Sequence, residues 1–147
     1  MSAPDPTSPM EAGLVAVLQA DAGVSAIVAG RIHPTSDPQS AALPKVTYAV
    51  VGSVNGSRLG TFSNDGPTGL AIERVQFDCL AIDLYTARLL ARAVKHALNG
   101  GFGVQGGVQY CGVNIVDLRE SPLPLRFGQE KPTMRFVVIA SVPYKDA

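Results

Sequence analysis

The chain has 147 residues and formally no net charge, with twelve basic and twelve acidic side chains. That balance excludes an electrostatic grip on nucleic acid, which depends on Lys and Arg neutralising phosphates. No apolar run approaches the roughly 18 residues that a membrane-spanning helix needs. Charged residues make up 16% of the chain, against roughly 25% in soluble domains, and mean hydropathy is +0.19. A small domain cannot hide so much apolar surface, so part of it is expected to meet partners.

Residues 1–8 are rich in Pro and Ser and are expected to be loose, ahead of a single domain over 9–147. The start "MSAPDPTSPMEAG" has neither the basic region nor the apolar run of a signal peptide, so a soluble protein made in the cytoplasm is expected. Ser8-Pro9-Met10-Glu11 suits a helix start, with Ser8 as cap, Pro9 at the first helical position and Glu11 closing a capping box. Met10, Leu14, Val17 and Leu18 then recur at helical spacing. Asp21 can cap a second, short helix carrying Val24, Ile27 and Val28, which Gly30 ends. Residues 31–44, "RIHPTSDPQSAALP", read as a Pro-punctuated loop.

"KVTYAVVGSV", 45–54, reads as the first strand; both of its faces are apolar enough to be covered. A long Gly-, Ser- and Asn-rich connection follows over 55–69, although antiparallel neighbours are usually joined by two to five residues. "AIERVQFDCLAI", 71–82, is the second strand, with Val75, Phe77, Cys79 and Ala81 on one face and Arg74, Gln76 and Asp78 on the other. Asp83 caps a long helix over 84–99, where Ala87, Leu90, Ala91, Val94, Ala97 and Leu98 form one stripe and Arg88, Arg92, Lys95 and Asn99 face away. Gly100 stands where a helix stop belongs. Residues 107–120 read as a third strand, 121–132 as a Pro-broken loop, and 133–145 as the clearest strand. Pro143 argues that this last strand ends at a sheet edge.

The expected fold is therefore α+β, in the order α-α-β-β-α-β-β. It is a mostly antiparallel four-stranded sheet with the long helix and the short N-terminal helices on one face.

Motifs for catalysis are weak. "GFGVQG", 101–106, matches a dinucleotide-loop expression but follows a helix and leads into a strand, the reverse of the required context. His33 reads as a loop residue and His96 as a solvated helix residue. No Cys or His pair has zinc spacing, and Cys79 and Cys111 read as buried thiols. Asp78 and Asp83 are better used on a strand face and at a helix cap than as an acid/base pair. Asn55-Gly56-Ser57 reads as a turn. No cofactor, metal or catalytic residue is expected, and the protein is read as not an enzyme.

Arg58, Arg74, Arg119, Arg126 and Arg135 are ordinary solvated charges or inter-subunit partners, since Arg is enriched at interfaces. Phe62 and Phe127 sit in polar loops as core or as binding anchors. With Asn64 and Asp65, these residues are the candidate subunit or tube contacts.

The blocks "LVAVLQADAGVSAIVAGRIHPTSDPQSAALPKVTYAVVG", 14–52, and "GPTGLAIERVQFDCLAIDLYTARLLARAVKHALNG", 66–100, with the strand at 133–145, resemble the tail-completion proteins of long-tailed bacteriophages. Such proteins are similar in fold to the lambda-type tail terminator. The resemblance implies a virion protein at the head-proximal end of the tail, made in the host cytoplasm. It would form a hexameric ring of identical subunits that caps the tail tube, stops its polymerisation and presents a surface to the head-tail connector. Partners would be copies of itself, the tube protein and the connector or stopper. DNA would pass through the lumen only as cargo, and no membrane is involved. The residues 55–69 and 121–132 would then reach neighbouring subunits or the tube. Two alternatives stay open: a head-side stopper or adaptor of the same joint, and a small-ligand-binding α+β enzyme domain.

Overall fold

The computed structural model describes residues 9–34, 43–53, 71–99, 103–105, 107–121 and 133–146. The proposed cap Ser8, the helix stop Gly100 and the connections 55–69 and 122–132 lie outside them. The described residues form three helices: α1 (Pro9–Ala20), α2 (Ala22–Val28) and α3 (Leu84–Leu98). Seven strands accompany them: β1 (Ile32–Pro34), β2 (Lys45–Ser53), β3 (Ala71–Ala81), β4 (Val104–Gln105), β5 (Val108–Tyr110), β6 (Asn114–Glu120) and β7 (Met134–Asp146).

α1 begins at Pro9, whose missing N–H costs nothing in a first turn. α1 and α2 meet at 86°. Asp21 sits at the corner and accepts from the Val24 N–H at 3.0 Å, satisfying one of the orphan donors of α2. α2 ends at Val28; Ala29, with φ 50°, and Gly30, with φ 83°, then turn the chain. Asp83 caps α3 in the same way, accepting from the Thr86 N–H and hydroxyl. Those bonds hold its carboxyl below the usual range. No single helix among the described residues is long and apolar enough to cross a membrane.

The α+β class and the mostly antiparallel pairing agree with the sequence reading, but the sheet has seven strands among the described residues rather than four. Its order is β1-β2-β3-β7-β5-β4, with β6 also bonded to β7. Three local causes account for the difference. Part of the expected loop 31–44 is β1, which pairs parallel to β2 and takes His33 into a strand opposite Thr47. Val104–Gln105 and Val108–Tyr110 make a small hairpin turned by Gly107 at φ 83°. The expected third strand, 107–120, is broken at Gly112, with φ 88°, into β5 and β6. Both halves bond β7 on the edge that β3 leaves free.

That break explains two further corrections. Cys111 is exposed while Val108, Tyr110 and Val113 are buried, because the irregular residues 111–113 shift the alternation by one. Cys79 is fully buried, as read from the sequence, and burial pushes its thiol far above the usual range. Pro143 does not mark an edge: β7 is flanked by β3, with Ile72 opposite Pro143, and by β5 and β6. The Pro143 carbonyl accepts from the Cys111 N–H at 2.8 Å. Proline's missing donor thus faces the irregular segment between β5 and β6, where the ladder is already interrupted.

All three helices pack on one sheet face. Met10, Leu14, Leu18, Val24, Val28, Ala87, Leu90, Ala91, Val94 and Leu98 meet Val46, Tyr48, Val75, Phe77, Cys79, Val138, Ala140 and Val142 in one core. Coverage of β2 stops short of its end: Val50 and Val51 stay 39% and 51% exposed.

In this core α1 and β5 approach closely. Tyr110 donates its hydroxyl to the Met10 carbonyl at 2.5 Å. A Cβ at Gly13 would collide with that hydroxyl. Gly13→Ala is therefore expected to destabilise by about 1–3 kcal/mol through overpacking, overriding the roughly 0.5–1 kcal/mol gained by removing a helical glycine. Urea denaturation in the native and the Tyr110→Phe backgrounds checks this; without the hydroxyl most of the cost should vanish. Burial, aided by Tyr144, pushes the Tyr110 phenol up to about 12. The fold holds this proton more tightly than the unfolded chain, so the contribution is intact below about pH 10 and is lost as pH rises towards 12. Unfolding midpoints between these values should fall less steeply in Tyr110→Phe.

Candidate assembly interface

The second face of the sheet has no described helix on it. Cross-strand register places its residues in rows. One row runs Lys45, Leu80, Arg135; the next Thr47, Asp78, Val137, Arg119. A third runs Ala49, Gln76, Ile139, Asp117, and a fourth Gly52, Arg74, Ser141, Asn114. Strand alternation is the cause: residues one step along β3, β6 and β7 from the helix-side core must point the other way.

Three of the candidate arginines, Arg74, Arg119 and Arg135, are thereby brought to one face. They play different parts. Arg135 is half-buried and held in place: its Nε donates to the Ser121 carbonyl at 2.9 Å and its Nη2 to the Ser121 hydroxyl at 2.8 Å. Its Nη1 lies 4.0 Å from the Asp78 carboxylate. Asp78 is the one buried charged side chain among the described residues, and Gln76 Nε2 donates to it at 2.8 Å. Leu80 and Val137 are also buried here, apart from the helix-side core, with Lys45 and Arg135 flanking Leu80. Arg119 is exposed and pairs only loosely with Asp117, at 3.6 Å. Arg74 is exposed. Arg58, Phe62, Asn64, Asp65, Arg126 and Phe127 lie outside the described residues.

Sequence reading missed a second surface. Tyr85 and Leu89 are 71% and 39% exposed in the first turns of α3, and Ile82, just before the Asp83 cap, is 63% exposed. The spacing of four between Tyr85 and Leu89 was the available signal, overshadowed by the basic residues of the same helix. Beside them Arg88 bonds Glu120 of β6 at 2.7 Å. Both partners are nearly half exposed, so this pair is worth only about 0.2–1 kcal/mol.

Asp78 and Asp83 serve separately, one in the Gln76–Arg135 network and one at the α3 cap. Among the described residues no three His, Cys, Asp or Glu side chains converge to hold a metal ion.

Comparison with solved structures identifies the fold first. A chain from "Virion of native gene transfer agent (GTA) particle" is similar with a TM-score of 0.67 at 18% identity, over 91% of this chain and 92% of that one. The fold is thus one found in a gene transfer agent virion. The family follows from sequence: residues 12–122 match the family described as Tail completion protein gp17, and the chain belongs to it. Curated protein sequences give no match. Membership of this family supports a structural role in a phage tail.

The two best-described arginines should separate folding from assembly. Arg135→Ala removes three contacts around Ser121 and buried Asp78 and is expected to cost about 1–3 kcal/mol. Arg119→Ala should stay within about 0.5 kcal/mol of the unchanged protein. Thermal and urea unfolding of both variants check this.

Proposed function

We propose that this protein completes the tail as a hexameric ring that caps the tube, stops its polymerisation and offers its other side to the head-tail connector. The observation that carries the reading is the helix-free sheet face. It combines exposed Arg74 and Arg119 with half-buried Ile139 and Gln76, and has no covering layer among the described residues. An uncovered sheet face that mixes arginine with apolar side chains suits a protein interface. Membership of the tail completion family and the shared fold support the same reading.

Ring formation needs heterologous contacts, in which each patch meets a different patch on the next copy. The sheet face and the Ile82–Tyr85–Leu89 stripe are two such different patches. The connections 55–69 and 121–132, with Arg58, Phe62, Asn64, Asp65, Arg126 and Phe127, are the further contacts to neighbours and tube. A subunit pair would bury roughly 1,600 Å² in total. Zero net charge then fits a lumen that DNA must slide through without sticking.

Electron microscopy of tails assembled without this protein tests the role. Overlong tails are the expected result. Tails of normal length that fail to join heads would assign the protein to the stopper position instead. Light scattering across a concentration series should give a hexamer; a monomer throughout would overturn the ring.

A further inference from the structure

We infer that copies of this protein join edge to edge through backbone pairing, the outer half of β2 on one copy adding to β6 of the next. The inference rests on the ring reading and supplies its joint.

Besides the short end strands β1 and β4, two longer stretches of edge have no partner strand among the described residues. β1 has 3 residues and pairs β2 only at Val46, Thr47 and Tyr48, so residues 49–53 have no outer partner among the described residues. β6 pairs β7 along one edge, and its other edge has no partner strand among the described residues; there the Leu118 N–H already bonds the Asp117 carboxylate at 2.8 Å, so the edge on offer is Asn114–Asp117. Open edges with unmet N–H and C=O groups are templates for another strand, and proteins normally blunt or cover them.

The two edges match in three respects. First, they lie at one level of the sheet. Asn114 aligns through Ser141 and Arg74 with Gly52, and Ile115 through Ala140 and Val75 with Val50. Second, their directions suit rotation. β2 runs against β3, β3 against β7, and β7 against β6, so β2 and β6 point in opposite senses. A copy related by rotation about an axis along the strands brings its β2 antiparallel to the preceding β6, continuing the ladder unbroken. Third, both edges carry a bulge beside the same Val75–Ala140 row, between Val50 and Gly52 and between Ile115 and Asp117. Each bulge leaves a valine 51% exposed, Val51 on β2 and Val116 on β6. Exposed apolar side chains at otherwise unpaired edges are what a strand-addition joint requires: backbone bonds for affinity and side chains for register.

The joint is heterologous, so blocking either edge should stop the ring while a pair of complementary variants still meets once. Val51→Lys and Val116→Lys each alter a half-exposed residue and should leave the monomer's melting temperature nearly unchanged. Each alone should self-associate at least tenfold more weakly. Mixed in equal amounts, they should form a one-to-one dimer that grows no further, because the Val51→Lys copy keeps its β6 edge and the Val116→Lys copy keeps its β2 edge. In the assembled unmodified chain, amide exchange at 49–53 and 114–117 should slow relative to the dilute monomer. An oligomer without new protection at these edges, a lysine variant that assembles normally, or a mixture with no dimer overturns the edge joint and leaves the ring reading standing. An unmodified chain that stays monomeric at every concentration overturns both.

Discussion

The structure depends on the saturation of one strand. β7 is bonded to β3 on one edge and to β5 and β6 on the other, and its alternate residues Phe136, Val138, Ala140 and Val142 lie under the helices. A buried strand must satisfy its backbone donors and acceptors, because each one left unpaired costs as much as a lost hydrogen bond. That requirement draws three separate segments to one template. It also explains how a proline survives near the middle of a sheet: Pro143 stands where β5 has ended and β6 has not begun.

Helix packing then divides the sheet into unequal faces. One is sealed by α1, α2 and α3 through a single apolar core, fixed where Tyr110 reaches the Met10 carbonyl past Gly13. The other keeps a mixed population, with Asp78, Leu80 and Val137 buried between longer polar side chains. Within that face Arg135 is an internal brace for Ser121 and Asp78, whereas Arg119 and Arg74 point to solvent. An even distribution of arginines along a sequence therefore conceals very different surroundings.

Much of the architecture was legible beforehand. The capping residues Asp21 and Asp83, the stripe of α3 and the alternation of β3 and β7 are local signals with one dominant interpretation each. What escaped was short or interrupted. β1 has 3 residues and β4 has 2, too few for any period to show. Gly112 splits a segment whose composition is strand-like throughout, and the change of phase that exposes Cys111 has no signature except that glycine. The interface was legible in kind but not in detail: low charge and excess apolar residues called for a partner, while Ile82, Tyr85, Leu89, Val51 and Val116 were passed over for arginines and loop aromatics.

By itself the amino-acid order determined the class of fold, the helix boundaries, the core stripes and the likeness to tail-completion proteins, because these rest on residues near one another in the chain. Only the tertiary structure decided which strands share β7, that Pro143 is interior and which arginines stand together. Those are outcomes of competition among distant segments for the same backbone groups. A strand's own residues state its period but not its neighbours.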